Sequence, residues 1–450
     1  MNDEMINAAL KEATDTQNVV IGAGVLSSIN EVFEDNFGGR TAIVVADENT
    51  FEVAGEEVQR HLEEAGRDLI VPYIFPGEPT LYAEYGNIET LVEALKEHDA
   101  IPVAVGSGTL NDIVKRAAYE CERPYMNVST AASMDGATAF GASIEKDNKK
   151  QTLTCPAPVA VLADLNVLEN APSRMTASGY ADLLGKVTSG ADWLVADVLG
   201  VEEIDETGWS LVQDYLREWT GEPGKLRAGD QKETENLIEG LIMSGLGMQS
   251  YQSSRSASGA EHQFSHLWEG EGLGRDQDPP LSHGFKVGVG TISIAALYER
   301  ILQRDFSELD VDAACESWPS WEEMEKKVRK AYSGSKLEDA AVNETKAKYI
   351  DADELRNRLE LLREVWPKLR EKLTEQLMPA GQIEEMLQAA GCPTTPTEIG
   401  LDWESFKETY QRAQMLRKRY TVLDLATETG ILDECVKELF APDGFWGSRG

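Results

Sequence analysis

Short, uninterrupted apolar runs recur through the first 165 positions of the chain, with longer stretches of helical periodicity between them. Six runs are predicted as strands, at residues 19–21, 41–46, 69–71, 101–105, 125–128 and 159–162. Apolar residues without alternation mark strands buried on both faces. Amphipathic stretches at 85–98 and 111–121 separate some of these runs. Buried strands alternating with helices predict a mostly parallel sheet with crossovers, a doubly wound α/β domain of Rossmann type.

After Pro172 the periodicity becomes helical, with stretches at 180–199, 233–248, 292–302, 320–331, 352–377 and 403–425. Turn clusters such as Gly221-Glu222-Pro223-Gly224 and Gly391-Cys392-Pro393 separate them. The expected organisation is therefore an α/β domain over 1–170 and an all-α domain over 171–450. The charged residues 303–360 read as exposed helices and turns.

Composition narrows the function classes. An apolar fraction of 42% with nine tryptophans in 450 residues describes a folded globular protein. Apolar runs such as Ile101-Pro102-Val103-Ala104-Val105 are too short to span a bilayer, so no membrane insertion is expected. Met1-Asn2-Asp3-Glu4-Met5 lacks the basic and apolar regions of a secretory signal. The five cysteines form no CxxC pair, and the expected location is a reducing cytoplasm. Seventy-nine acidic against 42 basic residues give a net charge of −37, which repels nucleic acid and anionic membranes. A solvated acidic coat, with salt adaptation as one origin, is the simplest reading. An anionic substrate then requires a local positive patch or a metal.

Candidate chemistry begins with histidine. Three of the five histidines fall within 22 residues, at His262, His266 and His283. On a helix, His262 and His266 share a face, and His283 could close a metal site from a following turn. The bland alternative is two surface histidines on one helix and a third nearby by chance. A second feature is strand 101–105, which runs into Gly106-Ser107-Gly108-Thr109-Leu110-Asn111-Asp112 and then a helix. Two glycines before a helix N-terminus suit a pyrophosphate, although this is not GxGxxG and a tight turn without a ligand would look the same. Asp112 could equally be a helix N-terminal acid. Asp47 ends the second strand, where an acid could hold an adenosine ribose or be an ordinary loop residue. The small and hydroxyl residues Ser129 to Ala139 follow the fifth strand, where ligand crevices lie in such sheets. Asp135-Gly136 also fits a plain turn, and Asp182 a helix cap.

Taken in order, Gly106 to Asp112, Ser129 to Gly136, Gly179 to Lys186, Ser258 to His262 and His283 to Thr291 resemble the sn-glycerol-1-phosphate dehydrogenase family. That family sits within the superfamily of dehydroquinate synthase and the iron-type alcohol dehydrogenases. The likeness runs from about residue 15 to about 440, and the stretch 413–425 resembles the bacterial members. It implies a dehydroquinate synthase-like fold, with dinucleotide binding in the domain 1–170 and metal and substrate binding in the domain 171–450, and NAD or NADP as cofactor. It also implies one divalent metal, zinc first, with nickel or iron as alternatives. Asp182, His262 and His283 would be the metal ligands. His266 would then face substrate beside Asp135, with Asp182 also near it. Gly108, Thr109, Leu110, Asn111 and Asp112 match the pyrophosphate side of the cofactor segments. Thr130, Ala131, Ala132 and Ser133 match the nicotinamide side, and Asp47 the ribose contact.

Two positions depart from the pattern. Ala139 stands where a serine is common, so a cofactor contact is lost or supplied by Thr138, and Ser256 replaces a frequent proline. The implied reaction is metal-assisted hydride transfer between nicotinamide and dihydroxyacetone phosphate or glycerol 1-phosphate. His266 would relay a proton or orient a hydroxyl, and Asp135 would hold a substrate hydroxyl. Lys186, Arg255 and Lys286 are candidates for the phosphate, each also readable as a structural or surface cation. The expected partner is a small phosphorylated triose or glycerol, and the expected assembly a homo-oligomer. Three other readings stand beside this one. A dehydroquinate synthase-like lyase would need more cations around its motifs. A polyol dehydrogenase is disfavoured by Ser133-Met134-Asp135-Gly136, and a non-catalytic acidic protein by the retention of Asp182, His262, His266 and His283 together.

Overall fold

The computed structural model describes residues 3–146 and 149–449. Its strands in chain order are β1 (Asn18–Gly22), β2 (Ala42–Asp47), β3 (Tyr73–Phe75), β4 (Ile101–Gly106), β5 (Met126–Ser129), β6 (Ala142–Lys146), β7 (Lys149–Leu153) and β8 (Ala160–Asp164). Six of them make one parallel sheet in the order β1-β8-β5-β4-β2-β3, while β6 and β7 pair as an antiparallel hairpin. The sheet is covered on both faces. Ile43 and Val45 pack into the cluster that holds helices Tyr85–Lys96 and Gly108–Glu120. Ala42, Val44 and Ala46 pack into the one that holds Ile29–Phe37 and Glu56–Glu64. This two-sided burial explains why the strands read as continuous apolar runs. Because all six are parallel, Asp47, Gly106, Ser129 and Asp164 end at the same edge of the sheet.

Beyond Asp164 every regular element is helical among the described residues. The helices that carry candidate chemistry are Ser173–Leu184, Gln231–Tyr251, Ala260–Gly270 and His283–Leu302. Their core is continuous with one end of the sheet, since Ile21, Val161 and Ala163 belong to the cluster of Leu183, Leu241 and Val289. Gln249 ties the two parts together. Its Nε2 donates to Thr16 Oγ1 (2.8 Å) and Thr138 O (2.5 Å), while its Oε1 accepts from the amides of Asp15 and Thr16.

Several expectations are corrected. The edge strand lies at Tyr73–Phe75 rather than 69–71, because Leu69 makes only a bridge to Ala42 and Val71 projects into solvent. Stretch 180–199 is two helices interrupted at Gly185. There, Gln213 Nε2 and Gln376 Nε2 donate to the carbonyls of Lys186 and Val187. Stretch 403–425 stops at Leu416 and restarts at Val422, where Thr421 and Asp424 form a capping box. Residues 303–360 are not merely exposed. Val328, Tyr332, Ala341 and Leu355 are buried in the core, a face masked in the sequence by the charge around it. The helix Asp3–Glu12 and the β6–β7 hairpin went unread, the hairpin because its polar composition carries no clear apolar alternation.

Candidate functional site

A cleft of about 740 Å³ runs along the carboxyl edge of the sheet and ends among the helices. The turn after β4 forms one wall. Helix Gly108–Glu120 begins at Gly108, three residues before the expected start, and its N-cap residue Ser107 makes no side-chain cap bond. A 13-residue helix thus presents first-turn N–H groups into a ligand-sized cleft. Gly108 has a packing reason too, since a Cβ there would lie 2.7 Å from Met134 Sδ.

The expected cofactor residues divide by environment. Gly108, Thr109, Leu110, Asp112, Thr130, Ala131 and Ser133 line the cleft, as does Asp47, whose carboxylate also accepts from the Thr50 amide at 2.8 Å. Asn111 does not line it. Its Nδ2 donates to Gly136 O (2.8 Å) and its Oδ1 accepts from Tyr125 Oη, so it braces the 136–141 loop from behind. Asp112 lies beyond the helix's first turn. It pairs with buried Lys115 at 3.1 Å and accepts from the Ser143 amide, so it is no N-terminal acid. Ala132 is buried against Gly179, where a Cβ would come within 2.0 Å of its carbonyl oxygen. Thr138 donates to Ile242 O and is fully buried, so its hydroxyl is not offered to the cleft in place of the missing serine.

At the helical end, Asp182, His262 and His283 offer ligand atoms that all lie within 4.8 Å of one another. They come from three helices: Asp182 near the end of Ser173–Leu184, His262 in the first turn of Ala260–Gly270, and His283 opening His283–Leu302. Both rings are oriented by outer carboxylates. Glu261 Oε1 holds His262 Nδ1 at 2.8 Å and Glu269 Oε1 holds His283 Nδ1 at 2.8 Å, and His262 Nε2 lies 3.4 Å from Asp182 Oδ1 within the cluster. This is the usual support of a metal-binding imidazole. Two imidazole nitrogens and a carboxylate form a donor set suited to zinc, nickel or iron(II).

Lys186 lies fully buried beneath the cluster, 2.8 Å from Asp182 Oδ1 and 2.9 Å from Asp135 Oδ2. Burial works against its charge, but the two aspartates outweigh it and hold the ammonium above its ordinary range. Burial likewise works against ionised Asp182, yet Lys186 and His262 keep its carboxyl well below the usual carboxylate range. Desolvation opposes a charged His262, whereas Asp182 and Glu261 lift the ring to about 9. Ser244 Oγ donates to Asp135 Oδ2, and the Asp135 amide donates to Asp182 Oδ2 at 3.1 Å, coupling Asp135 to the cluster.

His266 stands apart from the ligand set. It lines the cleft, with its ring centroid 5.9 Å from that of His262. Burial, then neighbouring Arg417, push its pKa well below the ordinary imidazole value. Arg417 donates to His266 Nδ1 at 3.4 Å, so the neutral ring carries its hydrogen on Nε2. Of the three expected phosphate cations, Lys186 is consumed by the aspartates. Arg255 is fully buried and donates to Tyr420 O and Asp192 O. Only Lys286 lines the cleft. Glu269 and Lys150 were missed because in sequence they are ordinary charged residues with no motif of their own, and Glu261 and Arg417, although inside the stretches 258–262 and 413–425, carried no readable role there.

A parallel nucleotide-type sheet that opens onto a helical cluster of metal-ligating side chains is the layout of the metal-dependent dehydrogenases. The family model for iron-containing alcohol dehydrogenases matches residues 20–172. A glycerol-1-phosphate dehydrogenase [NAD(P)+] of Bacillus velezensis is 30% identical over 94% of both chains. The one from Halalkalibacterium halodurans is 39% identical over 57% of this chain and 64% of its own. The crystal structure of a probable glycerol dehydrogenase from Sinorhizobium meliloti shares the fold, with a TM-score of 0.61 at 17% identity over 94% of this chain and 99% of that one. The chain belongs to the glycerol-1-phosphate dehydrogenase family.

Proposed function

We propose that the protein is an NAD(P)-dependent sn-glycerol-1-phosphate dehydrogenase that interconverts dihydroxyacetone phosphate and sn-glycerol 1-phosphate. The observation that carries this reading is that His262 and His283, grouped with buried Asp182, line the same cleft as the uncapped Gly108 helix. In the reducing direction a hydride from the dihydronicotinamide adds to the carbonyl carbon and a proton goes to its oxygen. Asp182 and the Nε2 atoms of His262 and His283 would hold the metal, zinc first with nickel or iron(II) as alternatives. When bound, that ion supplies a Lewis acid for the substrate oxygen. The first-turn N–H groups of Gly108, Thr109 and Leu110 cradle the pyrophosphate, Asp47 takes the ribose, and Thr130, Ala131 and Ser133 flank the nicotinamide. Asn111, Asp112 and Ala132 support these segments.

Asp135 accepts from a substrate hydroxyl, and its orientation is set by Lys186 and Ser244. His266 donates through Nε2–H to substrate because Arg417 occupies its Nδ1. The division of labour is a cofactor-binding part over 1–170 and a metal- and substrate-binding part over 171–450. The five cysteines are all free, and no helix among the described residues is long and apolar enough to cross a membrane. These support a cytoplasmic enzyme, and we take it to work as a homo-oligomer. The test loads purified protein with Zn²⁺, Ni²⁺ or Fe²⁺ and mixes it with NADH or NADPH and dihydroxyacetone phosphate. Loss of the reduced-nicotinamide absorbance is expected. No oxidation under any pairing would overturn the proposal.

A further inference from the structure

A chain of net charge −37 has to accept a phosphate dianion somewhere, and Lys186 and Arg255 are already committed to internal partners. Next to His283, Lys286 of the His283 to Thr291 motif and Lys150, a lysine that no motif announces, meet on one carboxylate. Lys150, on β7 of the hairpin, lies 3.2 Å from Glu269 Oε2. Lys286, one turn after His283, lies 3.4 Å from Glu269 Oε1. The two lysines approach from opposite parts of the molecule, and both line the cleft. Tyr82 stands on the same wall, and burial, the largest influence on it, keeps its phenol protonated and able to donate.

The charges here do not balance. Glu269 carries one negative charge, which a single lysine would neutralise, yet two are held against it in a site where Glu269 is 5%, Lys286 7% and Lys150 24% exposed at the side chain. Burying a surplus ammonium is costly unless a counter-charge arrives. Burial and the neighbouring Lys150 both weaken the charged form of Lys286, and Glu269 alone does not offset them. Glu269 also accepts from His283 Nδ1, so the surplus positive charge sits one residue away from the metal-ligand cluster. A three-carbon substrate with its central oxygen at that cluster would place a terminal phosphate within this neighbourhood.

We propose that Lys150 and Lys286, held in position by Glu269, form the subsite for the phosphate monoester of the substrate. This rests on the functional reading above and adds to it the groups that select a phosphorylated over an unphosphorylated triose.

The test uses full-length protein and the variants Lys150→Met and Lys286→Met, with metal content checked in each. Calorimetric titration with inorganic phosphate should show binding to wild type that either substitution weakens by on the order of tenfold. The ratio of kcat/KM for dihydroxyacetone phosphate to that for dihydroxyacetone should fall by a similar factor, on the order of tenfold. A merely structural role would lower both substrates together and leave that ratio unchanged, which overturns the subsite. Phosphate affinity unaltered in both variants also overturns it, even if wild type reduces dihydroxyacetone phosphate. Conversely, a wild type that binds phosphate through these lysines but never turns over dihydroxyacetone phosphate would sink the functional reading and leave the subsite standing.

Discussion

At His262 and His283 one local device is used twice: a buried carboxylate takes Nδ1 and leaves Nε2 for the cleft. Tautomer and ring direction are thereby set before any ligand arrives. His283→Ala removes one of three ligand atoms and should leave the purified protein without stoichiometric metal by elemental analysis. Full metal retention in that variant would show the ligand set to be misassigned. Glu261→Gln keeps the shape of the side chain but loses its charge, and zinc affinity by competition with a chelator should fall roughly tenfold or more. An unchanged affinity would mean that Glu261 only anchors the helix through Gly259 and Thr188. At this scale the sequence showed that three histidines cluster. It could not show that His266, on the same helix face as His262, is drawn off by Arg417 from a segment 151 residues away.

Elements carry these residues into register through close backbone contacts. Gly284 lets helix His283–Leu302 lie against Ser173–Leu184, because a Cβ there would fall 1.9 Å from Ser178 O. Gly284→Ala must push the helices apart, at a cost of about 1–3 kcal/mol or more. It should lower the thermal midpoint and the metal content together, since His283 and Asp182 sit on the separated helices; a normal midpoint with full metal would contradict this packing. The break at 417–421 is equally specific. It brings Arg417 to His266 and lets Tyr420 and Arg358 meet Glu428.

Burial pushes Glu428 up to about 7 against the pull of Arg358. The folded-state pKa lies above the unfolded value, so this contribution to stability is fully present below about pH 4 and lost as pH rises through about 7. Glu428→Gln should lose absolute stability with the ion pair, but the variant should gain on wild type between pH 5 and 8. The gain, read from denaturant midpoints at both pH values, is bounded at about 3 kcal/mol. A difference that does not move with pH would place the Glu428 pKa elsewhere.

Over the whole molecule, charge and core pull in opposite directions. The net charge of −37 repels itself across a fold whose core runs from the sheet into the helices. Raising KCl from about 0.05 to about 1 M should raise the thermal midpoint by roughly 5 °C or more, as screening relieves that repulsion. A flat or falling midpoint would mean that the acidic groups are already locally balanced. The apolar runs by themselves determined the buried parallel strands, because two-sided burial leaves no polar alternation to misread. The order of motifs likewise identified the family, and the glycine turn fell on the edge of the sheet that lines the cleft. Tertiary structure alone decided which charges act and which merely balance. Lys186 is consumed by Asp135 and Asp182, Arg255 by backbone carbonyls, and Lys150, on a hairpin with no apolar signature, faces Lys286 across Glu269. A side chain's chemistry depends on its partners and burial, and these come from tertiary contacts, some between distant parts of the chain such as Arg255 with Tyr420 and Lys150 with Glu269, that local periodicity does not encode.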